Sequence, residues 1–161
     1  AVELNSLMQR GHKKHCLVVM SHSRNPDDMG WFNSWYKTVL MPAVELTGHL
    51  PVRLSLDDSP HVITDELQAH LASDPVVVVD LGGVTPEAEP SPHVLYALGM
   101  RQGSNLQYVM MAWNGQRLPF DGALTKRVIM EGRALIDRAT NRTRLRQLIQ
   151  EATTSTPSPG P

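Results

Sequence analysis

Apolar residues in this chain gather into short unbroken runs, separated by longer segments in which they recur every three or four positions. The runs are "CLVVMS", "VRLSL", "VVVVDL" and "LQYVMMAW", with "RVIM" as a shorter fifth. Runs of that length without polar alternation fit strands covered on both faces, as in a parallel sheet. The intervening segments have helical spacing. In "MGWFNSWYKTVLMPAVELTG", Phe32, Tyr36, Val39 and Ala43 keep the interval of one buried face. Pro42 predicts a kink there, because its ring removes a backbone hydrogen bond, and Gly48 predicts the stop. "SPHVITDELQAHLASD" predicts a second helix, capped by Ser59 with Pro60 in the first turn. "SPHVLYALGMRQG" predicts a third, with Ser91 as cap, Pro92 behind it and Gly103 as its close. "NRTRLRQLIQEA" predicts the last, with Leu145, Leu148 and Ile149 facing inward and arginines facing water.

Strands that alternate with helices predict an α/β fold: a mainly parallel sheet of four to five strands between two helical layers. In such sheets ligands bind beyond the carboxyl ends of the strands, where strand order reverses. The loops after Met20, Leu56, Asp80 and Trp113 are therefore the expected site. Residues 1–14 read as a lead-in, 15–152 as the α/β domain and 153–161 as a linker-like tail rich in Pro, Ser and Thr. The chain reads as a domain cut from a longer protein.

Composition narrows the function classes. A net charge of −1 over 161 residues implies no broad nucleic-acid or anionic-membrane surface. No apolar stretch approaches the roughly 20 residues that cross a bilayer. A single cysteine, Cys16, inside an apolar run predicts a buried thiol in a reducing, cytoplasmic setting. The seven histidines show no metal-ligand spacing, and one cysteine excludes a multi-thiolate zinc site. GxGxxG, Walker, HExxH and GxSxG patterns are all absent.

The loop "SHSRNPDD" after the first strand offers Ser21, Ser23 and Arg24, groups that hold phosphate or ribose oxygens; an ordinary polar loop would read the same way. Asp80, ending the third strand, is suited either to ribose hydroxyls or to capping its own loop. A receiver-type phosphoacceptor is disfavoured, because Asp27 and Asp28 lie too far past the first strand and no lysine ends a late strand. His61, His70 and His93 read as surface or capping residues. Trp31, Trp35 and Tyr36 fit core positions, and Trp113 is the better placed to stack on a base.

The order of an apolar strand with a serine-bearing loop, "MPAVELTG", "VRL", "VVVVDL", "SPHVLYALGMRQG" and "LPFD" resembles the TIR-like branch of the nucleoside 2-deoxyribosyltransferase-like superfamily. The resemblance covers roughly residues 15–150. It implies a flavodoxin-like three-layer core and NAD as substrate, with no separate cofactor. It further implies self-association when active, and a role in bacterial anti-phage defence under a fused cyclic-nucleotide sensor. Its most specific part is the family's Asn-Pro-Asn-Val-x-Tyr-Glu-Leu-Gly. Here Pro92, Val94, Tyr96, Leu98 and Gly99 match, Ser91 and His93 stand at the asparagine positions, and the catalytic glutamate falls on Ala97.

That departure matters because breaking an N-glycosidic bond builds positive charge on the ribose, which a nearby carboxylate stabilises or attacks. Losing one such stabiliser costs on the order of 10²–10³ in rate. Ala97 is open to three readings: an inactivating replacement, a natural pseudoenzyme, or a core residue outside the motif. Beside it, Ser21, Ser23 and Arg24 are expected to contact phosphate or ribose, Asp80 to orient the ribose side, Tyr96 to pack beneath the site and Trp113 to face the base. The resulting expectation is an NAD glycohydrolase domain silenced at Ala97. The alternatives are a nucleoside deoxyribosyltransferase or nucleotide N-hydrolase, and a catalytically inactive nucleotide-binding or assembly module.

Overall fold

The computed structural model describes residues 13–54, 64–118, 127–130 and 135–154. Five strands form one sheet: β1 (His15–Met20), β2 (Leu50–Val52), β3 (Val76–Asp80), β4 (Tyr108–Trp113) and β5 (Arg127–Met130). Their order is β2-β1-β3-β4-β5 and every neighbouring pair is parallel. This is the flavodoxin-like order, with its topological switch between β1 and β3. The helices are α1 (Pro26–Trp35), α2 (Met41–Leu46), α3 (Asp65–Ser73), α4 (Pro92–Gly103) and α5 (Leu135–Thr154). None of the described helices is long and apolar enough to cross a membrane.

β1, β3 and β4 each feed two cores, which is why their sequences are apolar runs rather than alternations. Cys16, Val18, Met20, Val76, Val78, Val109, Met111 and Trp113 face one layer, where they pack with Phe32, Trp35, Ala43, Val44, Leu145 and Ile149. Leu17, Val19, Val77, Val79 and Met110 face the other, against Leu67 and Leu71 of α3 and Val94, Ala97 and Leu98 of α4. The inward positions expected for Leu145 and Ile149 are observed, and the three-layer sandwich is as the pattern predicts.

Local chemistry sets the element boundaries. Asn25 caps α1 by accepting a hydrogen bond from the Asp27 N–H at 2.9 Å. The kink expected at Pro42 takes another form. The helical backbone continues from α1 into α2 through a π-helical turn at Tyr36–Leu40, and the Thr38 carbonyl, four residues before Pro42, accepts from the Arg142 guanidinium at 3.1 Å in place of the missing N–H. Gly48 ends this region at φ 83°, its N–H donating to the Glu45 carbonyl. α3 begins later than expected, at Asp65, with Thr64 accepting from the Leu67 N–H at 3.1 Å. Ser59 and Pro60 lie outside the described residues, as do residues 1–12 and 155–161 of the expected lead-in and tail. β2 is three residues long and starts at Leu50, earlier than "VRLSL" suggests.

One buried cation ties the amino-terminal edge of the sheet together. Arg101 of α4 is fully buried. Its guanidinium donates to the backbone carbonyls of Gln107 (2.9 Å), Leu71 (2.7 Å) and Asp74, joining the ends of α3 and α4 to the starts of β3 and β4. Replacing it with leucine removes the side-chain donor from the buried Leu71 and Asp74 carbonyls and leaves Gln107 only the Val77 N–H. Arg101→Leu is therefore expected to lower the unfolding free energy by about 3 kcal/mol or more in urea titrations. A change within about 1 kcal/mol would show that these contacts do not hold the edge.

Candidate functional site

β2 pairs only with His15–Leu17, so β1 runs three residues past its neighbour, from Val18 to Met20. The crevice beside that overhang is a cavity of about 360 Å³, at the lower end of the ~300–1,000 Å³ common for small-molecule sites. Its lining comes from the end of β1 and the following loop (Met20, Ser21, His22), from α1 (Met29, Asn33), from the end of β2 (Arg53, Leu54), and from Thr64, Leu67 and His93. It lies at the carboxyl ends of β1 and β2, beside the switch point, where the fold places ligands.

The loop after β1 is stitched to the start of α4. Ser91 donates its N–H to Ser21 Oγ at 3.1 Å, and its own Oγ accepts from the His22 N–H at 3.2 Å. Ser91 thus braces the neighbouring loop instead of capping its own helix. His93 is buried, with Nε2 3.0 Å from the Met20 carbonyl. A carbonyl can only accept, so Nε2 carries the proton. Arg53 is held at the opposite wall, donating to Asn33 Oδ1 at 2.9 Å with its guanidinium 5.2 Å from the centre of the Tyr36 ring. The lining therefore offers one permanent cation, two imidazoles and two hydroxyls. None of the described lining residues is a carboxylate.

Of the residues expected at the site, Ser21 lines the cavity and the others do not. Ser23 is engaged within its own loop, donating to Asp28 Oδ2 at 3.2 Å and accepting from the Asn25 N–H. Arg24 points to solvent. Tyr96 sits on the outer face of α4, 42% exposed, and not beneath the site. Ala97 is fully buried among the apolar side chains between α4 and the sheet. It is one helical turn beyond His93, and Leu17, Val19 and Leu67 of the cavity wall belong to the same apolar cluster.

Asp80 and Trp113 lie on the opposite face of the sheet from Ala97, and their expected substrate contacts give way to internal ones. Asp80 accepts from Trp35 Nε1 at 3.0 Å and from the Gly82 N–H at 2.9 Å. Trp113 donates to the Gly83 carbonyl at 2.8 Å and stacks on Trp35, with Trp31 stacked on Trp35 in turn. Among the described residues the corner is tightly packed at Gly82, where a Cβ would lie 2.1 Å from Met130 Cε and 3.1 Å from Asp80 Oδ1. Cys16 is no nucleophile, since burial, helped by the nearby Asp74 carboxylate, pushes its thiol up to about 12.

Arg53, Asn33, Thr64, His22 and His93 were not singled out as site residues from the sequence. The available signal was positional: a residue at the end of β2 or the start of α4 falls at the switch-point crevice whatever its type. His93, expected as a surface or capping residue, is instead buried against the Met20 carbonyl.

No family model matches this sequence, and no curated protein does. Among solved structures, a 2-desoxiribosyltransferase from Leishmania mexicana is 11% identical with a TM-score of 0.40, covering 62% of this chain. This chain spans 64% of the length of that protein. An oxidoreductase from Corynebacterium diphtheriae is 14% identical with a TM-score of 0.44, covering 89% of this chain and 96% of its own. Likenesses at this level carry no argument about chemistry.

Asp80 yields a measurable consequence. Burial raises its carboxyl to about 7 from an ordinary 3.8, against the opposing hydrogen bonds from Gly82 and Trp35. The folded chain then keeps a proton that the unfolded chain has released. The stability tied to this group is fully present below about pH 4, is lost as pH rises toward 7 and is level above that. A ¹³C titration of the Asp80 carboxyl carbon is expected to give a midpoint near 7; a midpoint near 4 contradicts this assignment.

Proposed function

We propose that this chain is a nucleotide-binding α/β domain of the NAD-glycohydrolase type, and that in its present sequence it binds without cleaving. The observation that carries the reading is the make-up of the crevice beside β1. A fixed guanidinium, hydroxyls and imidazoles suit an anionic, hydroxyl-bearing ligand, and no described lining side chain supplies the negative partner that a ribosyl cation needs. The enclosed volume suits one nucleoside unit, with the remainder of a dinucleotide extending past Arg53 into solvent.

Ala97 enters through helix geometry. Positions 93 and 97 share a face of α4, and a helical side chain leans toward the helix amino terminus. A glutamate at 97 would extend toward His93, from behind the wall formed by Leu17, Val19 and Leu67. Its carboxylate would approach the cavity from the sheet side, where a ribose bound against Ser21 and His93 would present its anomeric carbon. Nicotinamide leaves NAD as a neutral molecule, so the ribose-side carboxylate is the group that the reaction lacks most. An effector role in phage defence under a fused sensor, with assembly of several copies, extends the same reading.

The test is Ala97→Glu assayed for nicotinamide release from NAD at high protein concentration. Release at least about 10²-fold above the parent chain is expected, with free base from a deoxynucleoside as the readout for deoxyribosyl transfer instead. A folded variant that binds NAD and releases neither product would overturn the glycosidic reading and leave a binding module.

A further inference from the structure

At the amino-terminal end of the sheet, opposite the cavity, three side chains converge that lie far apart in sequence. His15 opens β1, His70 is in the last turn of α3, and Asp74 follows that helix just before β3. Their ligand atoms lie within 4.8 Å of one another. We propose that His15, His70 and Asp74 bind a divalent transition-metal ion of the zinc class. The proposal is independent of the nucleotide-binding reading.

The donor set is two imidazole nitrogens and a carboxylate oxygen, which selects zinc-like ions over calcium or magnesium. An ion about 2.0–2.2 Å from each donor needs those donors about 3.4 Å apart. His70 Nδ1 is 3.0 Å from both oxygens of Asp74, a hydrogen-bond separation that opens by about 0.4 Å to the spacing an ion needs. The His15 ring centre is 5.5 Å from that of His70, and His15 is exposed, so a small rotation of its ring completes the set.

The carboxylate is held for the task. Asp74 is buried and accepts the Leu17 N–H at 2.9 Å on Oδ2, which fixes its plane in the manner of a hydrogen bond supporting a metal ligand. Arg101 takes the backbone carbonyl of Asp74, so the carboxylate oxygens remain turned toward the two histidines. The carboxyl end of α3 faces the same point, and its partial negative charge favours a cation there.

An i,i+4 ion pair accounts for His70 and Asp74 alone; it gives no reason for His15 to share their corner. The ion would take the place of the hydrogen between His70 Nδ1 and Asp74, and the neutral ring would then carry its proton on Nε2. Three protein donors leave a fourth position to water, and the bound ion would tie β1 to the α3–β3 junction.

The test is calorimetric titration of ZnCl₂ into the untagged full chain after chelator treatment, with ¹⁵N–¹H spectra of the imidazoles recorded in parallel. One ion per chain is expected, with the imidazole resonances of His15 and His70 displaced together. His15→Ala and His70→Gln are each expected to weaken binding at least about tenfold, with the circular dichroism of the parent retained. His15→Ala changes an exposed side chain, so it remains informative if the His70 variant is poorly folded. Absence of stoichiometric zinc binding overturns the proposal. So does binding that persists undiminished in the His15 variant, which would place the ion on other histidines of the chain.

Discussion

The length of one strand relative to its neighbour governs this molecule. β1 buries five of its six residues between two helical layers, while β2 accompanies only the first three of the strand. Among the described residues, β1 has no strand partner on that side beyond Leu17, and a crevice lies beside it. The resulting crevice collects polar side chains because the strand and helix ends around it have backbone and side-chain hydrogen-bonding groups to satisfy. Ser21 and Ser91 bridge the loop after β1 to α4, and Arg53 and Asn33 bridge β2 to α1. The same arrangement that completes the fold thus leaves a cavity with a cation at its mouth.

The two faces of the sheet divide the labour. The face toward α1, α2 and α5 is closed at its carboxyl end by the tryptophan stack, with Asp80 sealed beneath it. The cavity at the β2 edge takes wall residues from both faces, Val18, Met20 and Met29 from this one and Leu17, Val19 and Leu67 from the face toward α3 and α4, whose cluster contains Ala97. Asp80 and Ala97 both belong to the carboxyl-end region that sequence reasoning selects, yet they are separated by the thickness of the sheet. Asp80 is sealed by Trp35 and Gly82, while Ala97 shares an apolar cluster with Leu17, Val19 and Leu67 of the cavity wall.

This division explains what was legible in the sequence. The apolar runs marked all five strands, "VRLSL" with shifted bounds, and for β1, β3 and β4 their burial as well, since being covered on two faces removes polar residues from a strand. The helix after β3 was legible from Ser91, Pro92 and Gly103. The parity of Asp80 within its strand was not, because a run such as "VVVVDL" has the same composition on both faces. Arg53 was hidden because the length of β2 depends on pairing with β1 and not on its own residues. The convergence of His15 with His70 and Asp74 was invisible for a related reason: it depends on the amino ends of β1 and β3 lying side by side, 55 residues from the first member to the second. Spacing along the chain detects ligands only when one element carries most of them.

The central claim is that the overhang of β1 is the ligand site, and amide chemical-shift mapping during titration with NAD addresses it most directly. The account predicts the largest displacements at Ser21, His22, Arg53 and Thr64, with Gly82, Gly83 and Trp113 little changed. Displacements concentrated around the tryptophan corner, or none up to millimolar NAD, would contradict it.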